Sequence, residues 1–395
     1  MNQQHGHISL LFKWVDNIAG VDRHQWNRLA VPLSTPILEW EWLYGLESSG
    51  SISADNGWVP AHLIVQSEHR LMAAAPLYIK THSAGEFVFD HIWAQAAHQM
   101  NIPYYPKLVG MSPATPTVGY RFLVDPDVDE TRLTHLMLDE IERFCKANRI
   151  FSFNILFADP GWRKILQGRG FIPWLHQSFL WENPGHGSFD DFLVRFNTNQ
   201  RRNIKRERKA LASEGIDVQI HTGNDIGPEL FDVMYDYYEN TNDKFGVWGC
   251  KYLNKAFFSG LYESFRHRLM VVAGYRKPVA DKVPVGMSLL LQKKDTLIGR
   301  YWGSSGYYNA LHFNACYYAP LEWAIRHGIR YFDPGAGSTH KIRRGFRAVG
   351  NYSYHQLFDP RLQWIMASYI DDINKMERTQ INHLNSRAPY ARKTG

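Results

Sequence analysis

The sequence predicts an α/β protein in which the two halves of the chain repeat one order of strands and helices. The chain has 395 residues, which is the length of two to three ordinary domains. Each half contains short apolar runs typical of strands, then a segment with helical spacing, then one more strand. Both halves also close alike, because an Arg-Gly-Phe triplet at 169–171 and at 344–346 leads to a segment ending in Pro184 and Pro360.

In the second half, three apolar runs separated by charged, turn-like segments predict an antiparallel meander. These runs are residues 269–275, 285–292 and 296–302. A helix is expected next, beginning at Asn309 and ending at Gly328, with a kink at Pro320. Residues 329–333 are predicted to form the strand that follows it.

The first half repeats this order with extra length. Residues 61–66, 71–80 and 121–124 are predicted strands, and Asp129 is expected to cap a helix whose apolar residues continue to Phe144. Residues 150–157 form the predicted strand after it. The insertion at 81–120, rich in proline and aromatic residues, is expected to be either a functional loop or lid, or a packed surface loop.

Composition narrows the class of protein. Hydrophobic residues make up 45% and charged residues 21% of the chain, which argues against a disordered or fibrous protein. The formal net charge of +6 favours an anionic partner such as RNA, a nucleotide or a membrane surface. The three cysteines lie far apart, so neither a disulfide framework nor a cysteine metal site is expected. No apolar run reaches the length of a membrane-spanning helix, and we expect a cytoplasmic protein.

Four stretches carry a resemblance to a known family: NTNQRRNIKRERK, FGVWGCKYLNKAFF, GRYWGSSGYYNALHFNACYYAPLEWAI and GAGSTHKIRRGF. They are similar to those of the Fem-like (FemAB-related) N-acyltransferases, often labelled peptidoglycan biosynthesis proteins, and the resemblance covers most of the chain. It implies two GNAT-like domains in tandem, each a mixed, mainly antiparallel sheet with flanking helices. Because the two halves share one order of elements and close alike, we expect their cores to superpose and a cleft to lie between them. We expect the first domain at 1–185, including the insertion at 81–120, and the second at 186–395, opened by a basic helix.

The resemblance also implies an enzyme, an aminoacyltransferase or N-acetyltransferase-like protein of the acyltransferase class (EC 2.3). Such an enzyme moves an acyl or aminoacyl group from an activated donor to an amine of a small molecule or peptide. No tightly bound cofactor is implied; the donor co-substrate is aminoacyl-tRNA, acyl-CoA or acyl-carrier protein. The chain lacks the Q/R-x-x-G-x-G/A run of single GNAT domains, which argues against simple acetylation. The alternative is a noncatalytic RNA-binding protein that keeps the same scaffold.

The densest charge cluster predicts a helix with one basic face, between Thr198 as N-cap and Gly215 as its end. Cations spaced along such a face can follow a phosphate backbone, so tRNA is the expected partner. The predicted polyanion-binding residues are Arg201, Arg202, Lys205 and Arg206. A solvated face is the alternative, and Glu207 interrupts the basic stripe.

The segment 333–345 combines glycines with charged side chains. Gly335 and Gly337 allow a tight turn and the close approach of a ligand, and basic side chains after them can neutralise a phosphate or carboxylate. These basic residues are Lys341, Arg343 and Arg344. Asp333 and His340 are the candidates for the base that takes a proton from an attacking amine. Catalysis by positioning alone, or an ordinary loop, are the alternatives.

A third set of candidates lies between these segments. Tyr301 and Trp302 end a predicted strand where such folds open for the acyl donor, and Tyr301 could also donate a proton to the leaving group. His312 is a further donor-binding candidate and lies on one helix face with Cys316, although packing beneath the sheet explains that pair better than a metal site does. Glu322, after the kink at Pro320, is a secondary candidate for acid–base chemistry.

Overall fold

The computed structural model describes residues 9–246, 249–277 and 283–391, so Val247 and Trp248 of the stretch FGVWGCKYLNKAFF lie outside the described residues. The chain forms two compact units. The first comprises 1–33, 37–174 and 352–373, and the second comprises 34–36, 175–351 and 374–395. The chain passes from one unit to the other inside two strands and a long helix, and also in the irregular segment around 34–36.

The first unit contains most of the elements of the first half of the chain. Its helices are α1 (Arg23–Ala30), α2 (Trp40–Ser48), α3 (His91–Gln99) and α4 (Glu130–Ala147). Its strands are β1 (Leu11–Val15), β2 (Trp58–Pro60), β3 (His62–Ser67), β4 (Arg70–Ala75), β5 (Leu77–Lys80), β6 (Lys107–Gly110), β7 (Leu123–Val124) and β8 (Ser152–Ile155). β9 (Ile172–Glu182) begins here and continues into the second unit.

Two sheets share the strands of the first unit. One has the order β1-β3-β4-β7, and in the other β2, β5, β6 and β8 are neighbours. The predicted strand at 71–80 is therefore two strands, broken at Pro76, because proline has no N–H to give to a ladder. β6 lies between β5 and β8 and is buried. The insertion at 81–120 thus supplies a sheet strand, which fits the packed alternative rather than a lid.

The second unit is built around a six-strand ladder. The helices are α5 (Phe189–Val194), α6 (Thr198–Ser213), α7 (Glu229–Asp243), α8 (Lys255–Ser264), α9 (Leu311–Phe313) and α10 (Ala319–Arg326). The strands are β10 (Ile216–Thr222), β11 (Leu269–Arg276), β12 (Gly286–Lys293), β13 (Thr296–Ser304) and β14 (Tyr331–Asp333). They form the order β10-β11-β12-β13-β14-β9, in which only β13 and β14 run parallel.

The predicted meander and the repeated element order are confirmed. The first half runs β1, α1, α2, β2, β3, β4, β5, α3, β6, β7, α4 and β8, and the second runs β10, α7, α8, β11, β12, β13, α9–α10 and β14. Both orders consist of one strand, two helices, a run of strands, a helix and a strand; α3 and β7 are extra elements of the first half. In both halves the helix connects two strands that pair in parallel, β6 with β8 and β13 with β14. The last strands of the halves are β9 and β15 (Arg347–Leu357).

These last strands are exchanged with respect to a division of the chain at 185/186. Residues 175–182 of β9 belong to the second unit, where β9 pairs with β14. Residues 352–357 of β15 belong to the first unit, where β15 pairs with β8. Each unit therefore contains a closing strand from the other half of the sequence. The predicted domain bounds of 1–185 and 186–395 stay a prediction about the two repeats.

The ends of the predicted helices need two corrections. Between α9 and α10 lies a π-helical turn, Asn314–Tyr318, which precedes Pro320 and takes the place of the predicted kink, since a wider turn tolerates the missing proline N–H. The residue that caps α9 is Ala310 rather than Asn309. The sequence patterns also did not identify α11 (Pro360–Ser386). No helix of the described residues is long and apolar enough to cross a membrane.

Candidate active site

The parallel ladder between β13 and β14 ends early and leaves an opening in the second unit. Pairing runs from Thr296↔Tyr331 to Ile298↔Asp333, whereas β13 continues to Ser304 against β12. β14 stops because Pro334 has no N–H and because the Gly335 N–H donates to Asp333 Oδ1 at 2.8 Å, which closes a turn. Gly299 still contacts Pro334 and Gly335, whereas, in the part of the chain that the structure describes, residues 300–304 of β13 have no partner on β14. We call this unpaired end of the ladder, with the loop 336–340, the opening.

Gly335 is required at this point. Its φ is +80°, and a Cβ there would lie 2.7 Å from the Gly299 carbonyl oxygen on β13. Only glycine combines the left-handed backbone with so close an approach. The predicted turn at Gly335 is therefore present, and Gly337 also has a positive φ, +121°.

Two histidines and three other aromatic rings meet beside the opening. His312, which follows Leu311 in α9, lies 5.2 Å from the Trp302 ring and 5.8 Å from the His340 ring, between ring centroids. Tyr317 and Phe313 pack against His340 at 5.6 and 5.7 Å. The structure thus brings together three predicted residues, Trp302, His312 and His340. We call this set, with Tyr317 and Phe313, the histidine cluster.

Both imidazoles are neutral near pH 7. Burial, together with the neighbouring Arg344 and Lys341 cations, lowers the pKa of His340 to about 4. Burial, then His340 and the same two cations, lowers the pKa of His312 to about 3. Desolvation and like charge both disfavour the imidazolium, so both effects act in the same direction.

Hydrogen bonds occupy both nitrogens of His340. Its Nε2 lies 3.0 Å from the Tyr317 hydroxyl, and its Nδ1 is hydrogen-bonded to the Ser338 hydroxyl. Burial raises the pKa of Tyr317, which keeps the phenol protonated. A protonated phenol can donate to Nε2, and the imidazole proton then lies on Nδ1, facing Ser338. Ser338 is exposed and connects this chain of hydrogen bonds to solvent.

Lys341 holds the glycine loop from inside. Its side chain is buried, and the ammonium donates to the carbonyl oxygens of Gly335 at 2.6 Å and Ala336 at 2.8 Å. Burial lowers the pKa of Lys341 to about 8, although the Asp333 carboxylate acts against that shift. The expectation that Lys341 holds an anionic part of a substrate stays a prediction, with two of its three protons already directed at the loop.

The other two basic residues of this segment point in different directions. Arg343 is exposed, and its guanidinium lies 3.4 Å from the Gln200 side-chain oxygen in α6. Arg344 is buried and pairs with Glu207 of α6, Nη2 to Oε1, at 3.0 Å. Of these two, Arg343 is the one whose position suits contact with a substrate anion.

The contacts of Tyr301 and Glu322 are with residues outside the histidine cluster. The Tyr301 ring packs against Tyr238 and Phe258, and its hydroxyl accepts a hydrogen bond from Arg300 Nη2 at 3.2 Å. Glu322 is ion-paired with Arg208 and with Arg326. Partial burial raises the pKa of Glu322, but the two guanidinium groups outweigh it and hold the pKa below the ordinary value. In this structure Glu322 forms ion pairs, and its role in acid–base chemistry stays a prediction.

Cys316 is half-buried, and burial raises the pKa of its thiol, which keeps the sulfur protonated. Among the residues that the structure describes, no three His, Cys, Asp or Glu side chains come together as metal ligands.

A cavity of about 350 Å³ lies next to the histidine cluster, within the usual size of small-molecule sites. Aromatic rings dominate its wall, and Lys244 adds a cation. The wall includes Trp302, Tyr307, Tyr308, His312 and Phe313. Tyr307 is 91% exposed, so a ring or chain entering the cavity can cover it.

The basic face of α6 has the predicted form. Its N-cap is Asn197 rather than Thr198, since the Asn197 side chain accepts the Gln200 N–H at 3.0 Å. Ile204 and Leu211 are buried. Of the four predicted polyanion-binding residues, Arg202, Lys205 and Arg206 are exposed and Arg201 is half-buried. Within the described part of the chain, none of the four pairs with an acidic side chain.

Sequence reasoning missed Ser338, Tyr317 and the partners of Glu207. Ser338 lies within the quoted stretch GAGSTHKIRRGF, two residues before His340, and that spacing was the available signal. The sequence holds no signal for Tyr317, because its contact with His340 depends on the π-helical turn. For Glu207 the signal was the break it makes in the basic stripe.

Comparison with known proteins identifies the family and the fold of this chain. The model of the FemAB-like family, described as peptidoglycan biosynthesis/recognition, matches residues 17–392. The structure of FemX aligns with a TM-score of 0.54 and 11% identity over 90% of this chain and 100% of that one. The C-terminal domain (DUF2156) of a putative lysylphosphatidylglycerol synthetase from Agrobacterium fabrum aligns with a TM-score of 0.51 and 9% identity, covering 90% of this chain and 97% of that one.

A tandem GNAT protein from the clavulanic acid biosynthesis pathway aligns with a TM-score of 0.45 and 10% identity over 89% of this chain and 99% of that one. A search of curated proteins found no match. At these identities the likenesses to FemX and to the DUF2156 domain show the fold alone, and the chain has the predicted mixed α/β architecture in two repeats. Because the family model spans nearly all of the chain, the resemblance seen in the sequence is confirmed, and the chain belongs to the FemAB-like family.

Proposed function

We propose that this protein is an N-acyltransferase that moves an acyl or aminoacyl group from an activated ester or thioester to an amine. The amine nitrogen attacks the carbonyl carbon, a C–N bond forms, and the C–O or C–S bond of the donor breaks. The amine loses a proton and the leaving group takes one up. Membership of a transferase-containing family supports the reaction class, and the histidine cluster beside the opening is the observation that carries the proposal for this chain.

The geometry suits a reaction that depends on positioning. The cavity next to the opening can hold the acyl end of a donor, and backbone groups of β13 lie at its edge. His340 or Asp333 takes the amine proton. With a pKa of about 4, His340 is neutral but is a weak base. Because both of its ring nitrogens are hydrogen-bonded, the amine proton would reach it through the Tyr317 or the Ser338 hydroxyl. Orientation of the reacting groups therefore carries more of the rate enhancement than basicity does.

We propose an aminoacyl-tRNA as the donor and an amine of a small molecule or peptide, such as a peptidoglycan precursor, as the acceptor. The exposed cations of α6, unpaired with acids in the described residues, support a polyanionic donor. Acyl-CoA and acyl-carrier protein are the other donors of the same chemistry. These donors are cytoplasmic compounds, which supports a cytoplasmic location.

The same cations favour a second candidate function, noncatalytic RNA binding. One experiment separates the two. The purified protein is mixed with unfractionated tRNA charged with labelled amino acids, or with a panel of acyl-CoAs, and with a peptidoglycan-precursor peptide as amine. We expect loss of the ester or thioester that depends on the amine, with an amide product detected by mass spectrometry. RNA binding with no amide from any donor would instead support the noncatalytic alternative.

A further inference from the structure

We infer that Glu207 is a positioning residue that joins the basic helix α6 to the loop carrying His340. The inference deepens the proposed function and depends on it for the role of His340. Glu207 is the only acidic residue of α6, and it lies between Arg206 and Arg208. A carboxylate there weakens the basic stripe, so its presence calls for a contact elsewhere.

The contacts of Glu207 are with the elements that build the histidine cluster. Its carboxylate accepts from Arg344 Nη2, at 3.0 Å to Oε1 and 3.2 Å to Oε2, and from the Tyr318 hydroxyl of the π-helical turn. Its backbone carbonyl accepts from Asn314 Nδ2 at 3.0 Å. One residue of α6 therefore fixes both the π-helical turn, which carries Tyr317, and the segment after His340.

Arg344 passes this contact on to His340. Its Nη1 donates to the His340 carbonyl oxygen at 3.1 Å, and its guanidinium carbon lies 3.3 Å from the centroid of the Phe313 ring, which also packs on His340. Its side chain is 6% exposed, and its Nε is buried with no hydrogen-bond partner in the described structure. The geometry of His340 thus depends on where this guanidinium sits.

The Glu207 carboxylate keeps the guanidinium in place by charge. Arg344 is buried and Glu207 is half-buried, so removing the carboxylate leaves the buried guanidinium without its counter-charge, which costs more than the pair itself contributes. Among the described residues, the other ionisable groups around Arg344 are Lys341, His340, His312, Tyr317 and Tyr318. Burial raises the pKa of both tyrosines, so none of these groups supplies a negative charge near pH 7. Without Glu207 we expect Arg344 to move toward water and to release the His340 segment.

The test follows the His340 side chain directly, in protein labelled with ¹⁵N-histidine. Wild type, Glu207→Gln, Arg344→Lys and the exposed matched control Glu263→Gln are titrated by NMR from pH 4 to 8, with His340→Gln to assign the signal. In wild type and the control we expect His340 to stay neutral above pH 5 in one tautomer. In Glu207→Gln and Arg344→Lys we expect its midpoint to move toward 6.5, the value of a solvated histidine.

A second variant guards against misfolding. Glu207→Asp keeps the charge but shortens the side chain, so we expect a midpoint between those of wild type and Glu207→Gln. Thermal unfolding of each variant shows whether the fold is retained. Unchanged His340 signals in a folded Glu207→Gln protein would overturn the inference, and so would an equal change in the Glu263→Gln control.

The transfer assay adds a readout that a purely structural residue would not give. We expect Glu207→Gln to lower kcat by about 10- to 100-fold, the effect of a small misplacement, with little change in the KM for the donor. A higher KM for the donor with an unchanged kcat would overturn the positioning role. If no donor reacts with wild type, the proposed function fails while the NMR titration still decides the inference about Glu207.

Discussion

At the histidine cluster, burial beside two cations decides the protonation state of each imidazole. His312 and His340 face each other, Arg344 and Lys341 lie close by, and all four groups would be cationic if fully protonated. The protein avoids this repulsion by keeping the two histidines neutral. Above about pH 5 both imidazoles are therefore unprotonated, and a proton that one of them takes up is released again.

This protonation state predicts how transfer depends on His340. We expect His340→Ala to lower turnover by about 10²-fold or more, the usual lower bound for loss of a positioned base. Between pH 6 and 9 the wild-type rate should show no inflection from His340, since its pKa is about 4. The measurement is kcat/KM across that range, with Glu263→Gln as control. If His340→Ala and Asp333→Asn both transfer at the wild-type rate, catalysis rests on positioning alone.

The same histidines predict a pH dependence of stability. An unfolded histidine has a pKa near 6.5, whereas in the folded protein the values are lowered to about 4 and about 3. The unfolded state therefore binds more protons below pH 6.5, and the free energy of unfolding falls as the pH falls from 6.5 to 4. Urea unfolding at pH 7.5, 6.0 and 4.5 measures this slope.

A variant isolates the contribution of these two side chains from that of the carboxylates. The double variant His312→Gln, His340→Gln has no imidazole at either position, so we expect it to lose less stability than wild type between pH 6.5 and 4. Equal slopes for the two proteins would mean that the histidines are solvated in the folded state.

Residue types in the sequence located part of this site. Trp302, His312 and His340 were all identified, because aromatic and histidine residues at strand ends and after glycine turns are recognisable by type. Their partners were not, since the meeting of Tyr317 with His340 depends on a π-helical turn. For Lys341 the residue type was recognised but its contact was not, because a basic residue after a glycine loop can donate to the loop itself.

Among the elements, α6 has two chemically different faces. Arg202, Lys205 and Arg206 face solvent. Glu207 contacts Arg344 as well as Tyr318 of the π-helical turn, and Arg208 pairs with Glu322 of α10. The spacing of the basic residues in the sequence predicted the helix and its exposed side. It did not show that the acidic residue serves a different contact, since that contact is 137 residues away in the chain.

The exposed face predicts salt-dependent binding of tRNA. Replacing Arg201, Arg202, Lys205 and Arg206 together by Gln should weaken binding and reduce the salt slope by up to about four contacts. The matched control replaces four exposed cations in or next to α4, Arg132, Arg143, Lys146 and Arg149, with the same change in net charge. Fluorescence anisotropy with unfractionated tRNA between 50 and 300 mM salt, a range of roughly sixfold in ionic strength, gives both quantities. Equal losses in the two variants would show a net-charge effect, and no loss would assign the α6 side chains to a solvated face.

For the whole molecule, the repeat was visible in the sequence and the exchange of the last strands was not. The order of strands and helices leaves a local pattern of apolar spacing in each half, and the Arg-Gly-Phe triplets mark equivalent positions. Which sheet β9 or β15 joins is a long-range choice. The register Phe332↔Trp181 joins residues 151 positions apart, and Tyr354↔Ile155 joins residues 199 apart (332 − 181 and 354 − 155), so no local signal specifies either pairing.

The strand exchange predicts that neither half folds alone. A fragment of residues 186–395 lacks the part of β9 that pairs with β14. It also lacks Ser178 and Leu175, which form hydrogen bonds with Asn351 and Asn374. A fragment of residues 1–185 lacks the part of β15 that pairs with β8, including His355, which is hydrogen-bonded to Asn154. Each fragment would expose an unpaired sheet edge with buried polar groups left unsatisfied, which favours aggregation.

We therefore expect both fragments to be insoluble when expressed singly and to be recovered together, folded, when coexpressed. Circular dichroism and a cooperative thermal transition check this; a fragment of 186–395 that is monomeric and unfolds cooperatively by itself would show that the second repeat is an independent domain.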